Sequence, residues 1–364
     1  MISKLLAVLA PLAFATSAIA QAPQDQPIDS AARKEAIAGL AQAMRDTYVF
    51  PELANEVASE LERKSAAGEY DGLATARSFA DRVREDLRAA GNDRHLQFRF
   101  QPGMPRREVA EDAAPPAEEM DRVRREMAAN GFGIYRTARL PGNIGYIDVR
   151  FFGPPEFVSP AYEAAMQLVD GSNALIIDLR ANGGGDPASV VQLVSHLFPE
   201  GDQRHINSIY NRGEDRTREF WTNPAVATRF NGPVYVLTSN YTFSGGEEFA
   251  YDLQTQKRAT LVGETTGGGA NPGAMVPIPG GFAAFIPTGR AINPVTGTNW
   301  EHVGVSPDIA ATADDAVAIA FAKAIEEIEE SADDRRKAEL ERVKARLEKR
   351  ELDLPGWVDP RSLR

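Results

Sequence analysis

Apolar positions along the chain switch repeatedly between a spacing of three to four and a spacing of two, which predicts helices alternating with strands. Ile37, Leu40 and Met44 share one helical face behind Asp29 or Ser30, which can cap it. Leu53, Val57 and Leu61 do the same after Phe50-Pro51-Glu52, and Phe79, Val83 and Leu87 do so within 75–90. Residues 30–90 are therefore expected to form a small helical module. Residues 95–100 alternate like a strand. A Pro- and charge-rich stretch, 102–129, follows with one helix near 118–128. Residues 131–134 and 144–149 read as strands paired through Pro141-Gly142-Asn143. After a helix around 160–169, residues 174–179 are apolar on both faces, the mark of a central strand.

Two strand-to-helix junctions then stand out. Residues 174–179 run into Arg180-Ala181-Asn182-Gly183-Gly184-Gly185-Asp186 and a helix carrying Val190, Val191, Val194 and Leu197. This turn lacks G-K-[ST] and the G-x-G-x-x-G spacing, so it is no phosphate loop. The second junction joins the apolar run 233–237 to a helix that starts at about Gly245 and carries Phe249 and Leu253. Ser244 sits at that junction, beside two glycines, where a helix N-terminus offers unused N–H groups to an oxyanion. Ser244-Gly245-Gly246-Glu247 is also S-x-x-E, a capping box, and caps are the commoner use of such a serine. N–H groups of the first turn could face Ser244 across the sheet edge.

Further strands are expected at 205–210, 259–264, 274–278 and 281–286, with a polar loop at 298–308. From Asp314 to about Glu351 the pattern is that of one long charged helix with a thin apolar seam of Ile325, Ile328, Leu340, Val343 and Leu347. The seam fits a solvated helix packed at one end; a dimerising coil, and so a homo-oligomer, is the alternative. The whole pattern predicts an α/β fold, a mixed β-sheet core flanked by helices.

Composition narrows the partners. The 364 residues are 43% hydrophobic and 25% charged, enough for one large or two modest domains. A formal net charge of -12 and a pI near 5.0 speak against nucleic acid. Lys4, an apolar stretch over 5–15 and Ala18-Ile19-Ala20 read as a secretory signal over residues 1–20, which predicts a periplasmic or secreted protein. No later segment is long enough to span a membrane. There are no cysteines and only four histidines, His95, His196, His205 and His302, without metal-ligand spacing. No metal and no cofactor are expected.

At this point four blocks resemble one family. Thr-Ser-Asn-Tyr-Thr-Phe-Ser-Gly-Gly-Glu-Glu-Phe-Ala-Tyr (238–251) is similar to the nucleophile segment of the tail-specific, or C-terminal processing, serine peptidases. Asp178-Leu179-Arg180-Ala181-Asn182-Gly183-Gly184-Gly185 resembles the family's Asp-Leu-Arg-x-Asn-x-Gly-Gly block, while Arg258-Ala259-Thr260 through Gly267-Gly268-Gly269 and Tyr48-Val49-Phe50-Pro51-Glu52 resemble the branch of interphotoreceptor retinoid-binding protein and the tricorn protease core. The resemblance covers roughly residues 35–320 and implies a ClpP/crotonase-like fold. It implies that Ser244 is the nucleophile and that the oxyanion hole is made by N–H groups of Gly245 and of Gly184 or Gly185. The processing peptidases place a basic lysine about two dozen residues after the serine. Here Gly269 stands near that position and no lysine lies between Lys257 and Lys323, so a Ser–Lys dyad is rejected. The tricorn-like arrangement instead implies His95 as general base and Glu301 as its orienting carboxylate. The residue before the histidine is Arg94 where tricorn has serine, so Arg94 is expected to pair with Glu301 or to bind a substrate carboxylate. His302 is the rival base; His196 and His205 are expected to be structural. The roughly forty residues 101–140 are too few for the inserted PDZ domain of many relatives.

The organisation expected is a signal (1–20), a linker (21–29), the helical module (30–90), an α/β catalytic domain (91–312) and a charged C-terminal helix and tail (313–364). The expected function is hydrolysis of peptide bonds in peptides or unfolded proteins through an acyl-enzyme on Ser244. The alternative is a non-catalytic carrier of apolar, retinoid- or fatty-acid-like ligands on the same fold.

Overall fold

The computed structural model describes residues 24–104 and 117–363. The secretory signal expected over 1–20 and residues 105–116 of the Pro- and charge-rich stretch lie outside these residues. In chain order the described residues form α1 (Ser30–Thr47), α2 (Pro51–Ala66), α3 (Ala76–Gly91), β1 (Gln97–Phe100), α4 (Ala117–Ala129), β2 (Ile134–Leu140), β3 (Ile144–Val149), α5 (Pro155–Val169), β4 (Ala174–Asp178), α6 (Pro187–Ser195) and β5 (His205–Asn211). There follow β6 (Arg216–Trp221), β7 (Val234–Thr238), α7 (Gly245–Thr255), β8 (Thr260–Gly263), β9 (Gly273–Ile278), β10 (Phe282–Pro287), β11 (Gly289–Ile292), β12 (Ile309–Ala310), α8 (Ala316–Glu330) and α9 (Asp334–Glu348). No helix among the described residues is long and apolar enough to cross a membrane.

The chain divides into two compact units. One holds the described residues up to Ala117 with Ile209–Arg218 and Asn271–Ala291; the other holds Glu118–Ser208, Glu219–Ala270 and the residues from Ile292 onward. In the first unit the expected helices start where their caps stand. Asp29 accepts the Ala32 N–H, Pro51 opens α2, and Thr75 and Ser78 form a reciprocal box at the head of α3. The inward faces of these helices meet Phe98 of β1 and Ile278, Phe282 and Ile286 of β9 and β10 in one core. β1, β10 and β9 pair antiparallel in that order. Phe98 stacks on Phe282 with ring centroids 5.0 Å apart, and Phe79 meets both rings edge-on.

The second unit is built on a six-stranded sheet, in the order β12-β8-β7-β4-β3-β2. β2 is antiparallel to β3; the other neighbours run parallel. Every residue of β3, β4 and β7 is buried, as expected for strands covered on both faces. Ile176, Tyr235, Leu237 and Val262 join a core with α8 and α9, while the alternating Leu175, Ile177, Val236 and Leu261 are buried on the other face. This is the mixed sheet flanked by helices read from the sequence.

Several elements differ from that reading. The single helix expected over 314–351 is two helices, broken at Ser331 and Ala332 and restarted where the Asp333 carboxylate accepts the Arg336 N–H at 2.8 Å. The seam residues Ile325, Ile328, Leu340 and Val343 are buried against the sheet inside the chain, with Leu347 packed beside them, so they are not a surface left open for a coil. Residues 131–133 form a 3-10 turn with Phe132 at φ 53°, and the strand begins only at Ile134. β6, β11 and β12 were not expected at all.

One buried ion pair fixes the C-terminal end of β4. Arg180 is fully buried and grips Asp178 through Nε (2.9 Å) and Nη2 (2.5 Å), while its Nη1 donates to the Ala313 carbonyl at 2.6 Å. Asp178 also accepts the Tyr146 hydroxyl at 2.6 Å. Arg180→Met removes one charge of a dry pair, which costs roughly 3–5 kcal/mol. Urea unfolding of the variant is expected to show a loss of that size; a loss below about 1 kcal/mol would contradict the account.

Candidate active site

The two glycine-bearing turns meet because the strands that feed them are neighbours. β4 and β7 pair in parallel with Asp178 opposite Leu237, so the segments after both strands emerge side by side. They are stitched together at once. Ser239 Oγ donates to the Arg180 carbonyl (2.6 Å), Thr242 Oγ1 to the Leu179 carbonyl (2.8 Å) and the Phe243 N–H to the Asn182 carbonyl (3.1 Å). Ser244, next in line, has φ 53° and ψ -119°. A non-glycine residue in that region carries strain of order 1–3 kcal/mol, and a strained strand-to-helix elbow is a known way to present a nucleophile.

The glycines opposite are there because nothing larger fits. A methyl group on Gly184 (φ 103°) would lie 2.8 Å from Ser244 Cβ and 2.9 Å from the Gly245 nitrogen. One on Gly185 (φ 146°) would run into the Phe152 carbonyl, and one on Gly245 would lie 3.0 Å from the Gly185 nitrogen. The two turns thus touch backbone to backbone. The Gly184 N–H already donates to Asn182 Oδ1 at 2.8 Å. Among the described residues no acceptor is found for the N–H of Gly185 or of Gly245. Of the two candidates for the second oxyanion donor, Gly185 is therefore the one with a donor to give.

Asn182 organises this turn, a role that its place in a motif did not disclose. It is fully buried, its Nδ2 donates to the Val149 carbonyl at 2.9 Å, and its Oδ1 lies 2.7 Å from where a Gly246 side chain would begin. One amide therefore sets the Gly183–Gly185 turn against the first turn of α7.

Glu247 does more than close a capping box. Its Oε2 accepts the N–H of Ser244 (2.8 Å) and of Gly269 (2.9 Å); its Oε1 accepts the N–H of Gly268 (2.6 Å) and the Thr266 hydroxyl (2.5 Å). Burial outweighs the four donors, which favour the ionised form, and raises this carboxyl to about 7. Three of the partners are backbone N–H groups that can only donate, while the Thr266 hydroxyl can donate to the carboxylate or accept a proton from the carboxyl. The same loop carries Glu301. The Ala270 N–H donates to Glu301 Oε2 (2.5 Å), Trp300 Nε1 to the Gly269 carbonyl (2.7 Å), the His302 N–H to the Gly268 carbonyl (3.1 Å) and the Val305 N–H to Thr266 Oγ1 (2.7 Å). The Ser244 backbone, through Glu247, and the Glu301 carboxylate, through the Ala270 N–H, are thus fixed to one loop. His302 lies beside Glu301, with Nδ1 3.6 Å from Oε1, and its side chain is half exposed.

His95 and Arg94 belong to the first unit; Ser244, Glu301 and His302 belong to the second. His95 lies in the turn before β1 rather than in the strand. Its N–H donates to Asp93 Oδ1 at 2.9 Å, its Nδ1 is 3.8 Å from the same oxygen, and its ring stacks on Phe285. Asp93 in turn accepts from the Tyr48 hydroxyl (3.2 Å) and Asn271 Nδ2 (3.4 Å). Burial pulls the imidazole down to about 4; Asp93 opposes this, and Arg88 and Arg94 add to it. At neutral pH His95 is therefore uncharged, the form a general base needs. Arg94 itself is exposed. His196 is buried with Nδ1 2.7 Å from the Thr228 carbonyl, and His205 stacks on Trp221, both as structural histidines do.

Residues 143–311 match the model of peptidase family S41, and residues 30–130 match that of the N-terminal domain of peptidase S41 in eukaryotic IRBP. Together the two cover well over half of the chain. It belongs to peptidase family S41. The chain is 28% identical over 187 residues to the chloroplastic carboxyl-terminal-processing peptidase 2 of Arabidopsis thaliana, a stretch that is 48% of this chain and 34% of that protein. It is 31% identical over 136 residues to the tricorn protease of Thermoplasma volcanium, 36% of this chain and 11% of that protein. The chain thus spans about a third or less of the length of these two relatives. Among solved structures the tricorn protease superposes with a TM-score of 0.50 at 14% identity, covering 83% of this chain and 37% of that one, a likeness of fold. S41 peptidases are serine-type enzymes, which agrees with the family read from the Ser244 segment.

Glu247 and Asp93 stood in the sequence as a cap and as a turn residue; only their long-range partners reveal more. Glu247→Gln would set an amide N–H₂ against at least one backbone N–H of the cage and leave that donor unsatisfied in the interior. The expected loss is about 2 kcal/mol or more, read as a shift of the urea midpoint at constant m-value. A change within about 0.5 kcal/mol, as for an ordinary surface site, would contradict the cage.

Proposed function

We propose that this S41 chain is a periplasmic or secreted serine peptidase that cleaves peptide bonds in peptides or unfolded proteins through an acyl-enzyme on Ser244. The observation that carries the reading is the pair of N–H groups, Gly185 and Gly245, left without acceptors beside a strained serine. In this mechanism Ser244 Oγ attacks the scissile carbonyl and His95 takes its proton. The oxyanion is received by the Gly245 and Gly185 N–H groups, and His95 returns the proton to the leaving amine. Water then repeats the sequence on the ester. Glu301 is the orienting carboxylate, held by the Ala270 N–H. A carrier of apolar ligands would need neither the strained elbow nor the open donors.

Ser244→Ala is expected to abolish hydrolysis of unfolded protein and labelling by a fluorophosphonate; unchanged hydrolysis would sink the proposal. His95→Ala is expected to lower kcat by roughly 10³-fold or more while leaving the fold intact.

The pH profile follows from the buried imidazole. A base must be neutral to act, so activity falls as pH drops through the folded-state pKa, and the acid limb of kcat/KM is expected near 4 rather than near 6.5. The stability linkage has the same sign. The unfolded chain takes up the His95 proton at about 6.5 and the folded one only near 4, so stability is lost between those values as pH falls. An acid limb near 6.5 that stays in place in His95→Ala would overturn the assignment.

A further inference from the structure

Arg361 of the C-terminal segment meets the nucleophile segment. The tail is anchored as far as Pro355, which is buried and whose carbonyl accepts from Arg180 Nη2, with Leu352 and Leu354 packed against the core of α8 and α9. Beyond it, Pro360–Leu363 forms a 3-10 turn. From that turn Arg361 donates through Nη2 to Asn240 Oδ1 at 2.5 Å and holds its guanidinium 5.9 Å from the centroid of the Tyr241 ring. Glu264 completes the surroundings. Its carboxylate accepts the Asn240 N–H at 2.9 Å and lies close enough to act on Arg361.

An amide oxygen, an aromatic face and a carboxylate together are what recognises a guanidinium. Their place gives the contact its meaning. Tyr241 stands three residues before Ser244, and its hydroxyl is 3.8 Å from where a Gly183 side chain would begin, against the turn that bears Gly185. Arg361 is half exposed and is also paired with Asp359 of its own tail, so it can leave without opening the core. We infer that Asn240, Tyr241 and Glu264 form a subsite for an arginine side chain of the substrate, which the chain's own Arg361 occupies at rest. The substrate class is a cationic peptide segment, and the tail is its intramolecular competitor. This rests on the reading of Ser244 as the nucleophile.

The test uses the full chain with Arg361→Ala, which empties the subsite without touching the catalytic groups. Fluorogenic peptides in which one arginine is moved along the sequence are compared with the same peptides carrying norleucine. At one position arginine is expected to raise kcat/KM about three- to tenfold, the size carried by an exposed cation–π contact with one charge-assisted hydrogen bond. Tyr241→Ala or Glu264→Gln in the same background should bring the ratio back to about one, and the wild-type chain should show a smaller ratio because its tail competes. A second readout does not depend on catalysis. In a Ser244→Ala, Arg361→Ala chain, a fluorescent peptide of residues 356–364 should bind by anisotropy, and the same peptide with Arg361→Ala should not. A ratio of one at every position overturns the subsite, even if the tail peptide binds. If no peptide is cleaved by any variant, it is the peptidase reading that fails, and anisotropy alone then decides: no binding overturns the guanidinium site, and binding dependent on Arg361 and Tyr241 upholds it.

Discussion

Two turns of backbone lie so close that a single methyl group could not be placed between them. Gly184 and Gly185 on one side and Ser244 and Gly245 on the other approach to contact, and much of the second unit is arranged to keep them there. Parallel pairing of β4 with β7 brings the two strand ends together, and the Ser239, Thr242 and Phe243 hydrogen bonds lock the loops that follow. Asn182 then takes up the Gly184 N–H and leaves that of Gly185 open, so the choice between two glycines is made by one buried amide. Preorganised donors of this kind are effective in catalysis because they need no reorganisation when charge develops.

The constraint extends to the carboxylates. Glu247 is buried on the first turn of α7, where a lone charge would be expensive, yet four donors converge on it, two of them from Gly268 and Gly269. The same glycine loop supports Trp300 and Glu301. A helix-capping residue thus also sets the position of the proposed orienting carboxylate. In the other unit His95 is kept neutral by burial, with Asp93 beside its Nδ1. Burial disfavours the charged form of both side chains, and around Glu247 four donors work against it.

Much of this was legible in the chain itself. Helical spacing located α1, α2 and α3 because each buries one stripe, and the run 174–179, apolar apart from Asp178, identified a central strand. Glycine clusters after two such strands pointed to both turns, since only close approach or positive φ calls for them. What stayed hidden depends on partners far away in sequence. The seam from Ile325 to Leu347 has the spacing of one long helix, and only the packing of α8 and α9 on the sheet shows why it breaks at Ser331 and is capped by Asp333. β12 has two residues and β6 is almost wholly exposed, so neither leaves an apolar alternation to read. Asn182, Asp93 and Glu247 carry no periodic signal, because their roles are defined by the atoms they meet.

The central claim is that Gly185 and Gly245 offer a shaped cradle to an oxyanion on Ser244. The most direct measurement is a crystal structure of the chain phosphonylated at Ser244. The account predicts one phosphonyl oxygen at about 2.7–3.1 Å from both the Gly185 and the Gly245 nitrogens, with Asn182 still holding Gly184. A phosphonyl oxygen turned away from both nitrogens, or an adduct on another residue, would contradict it.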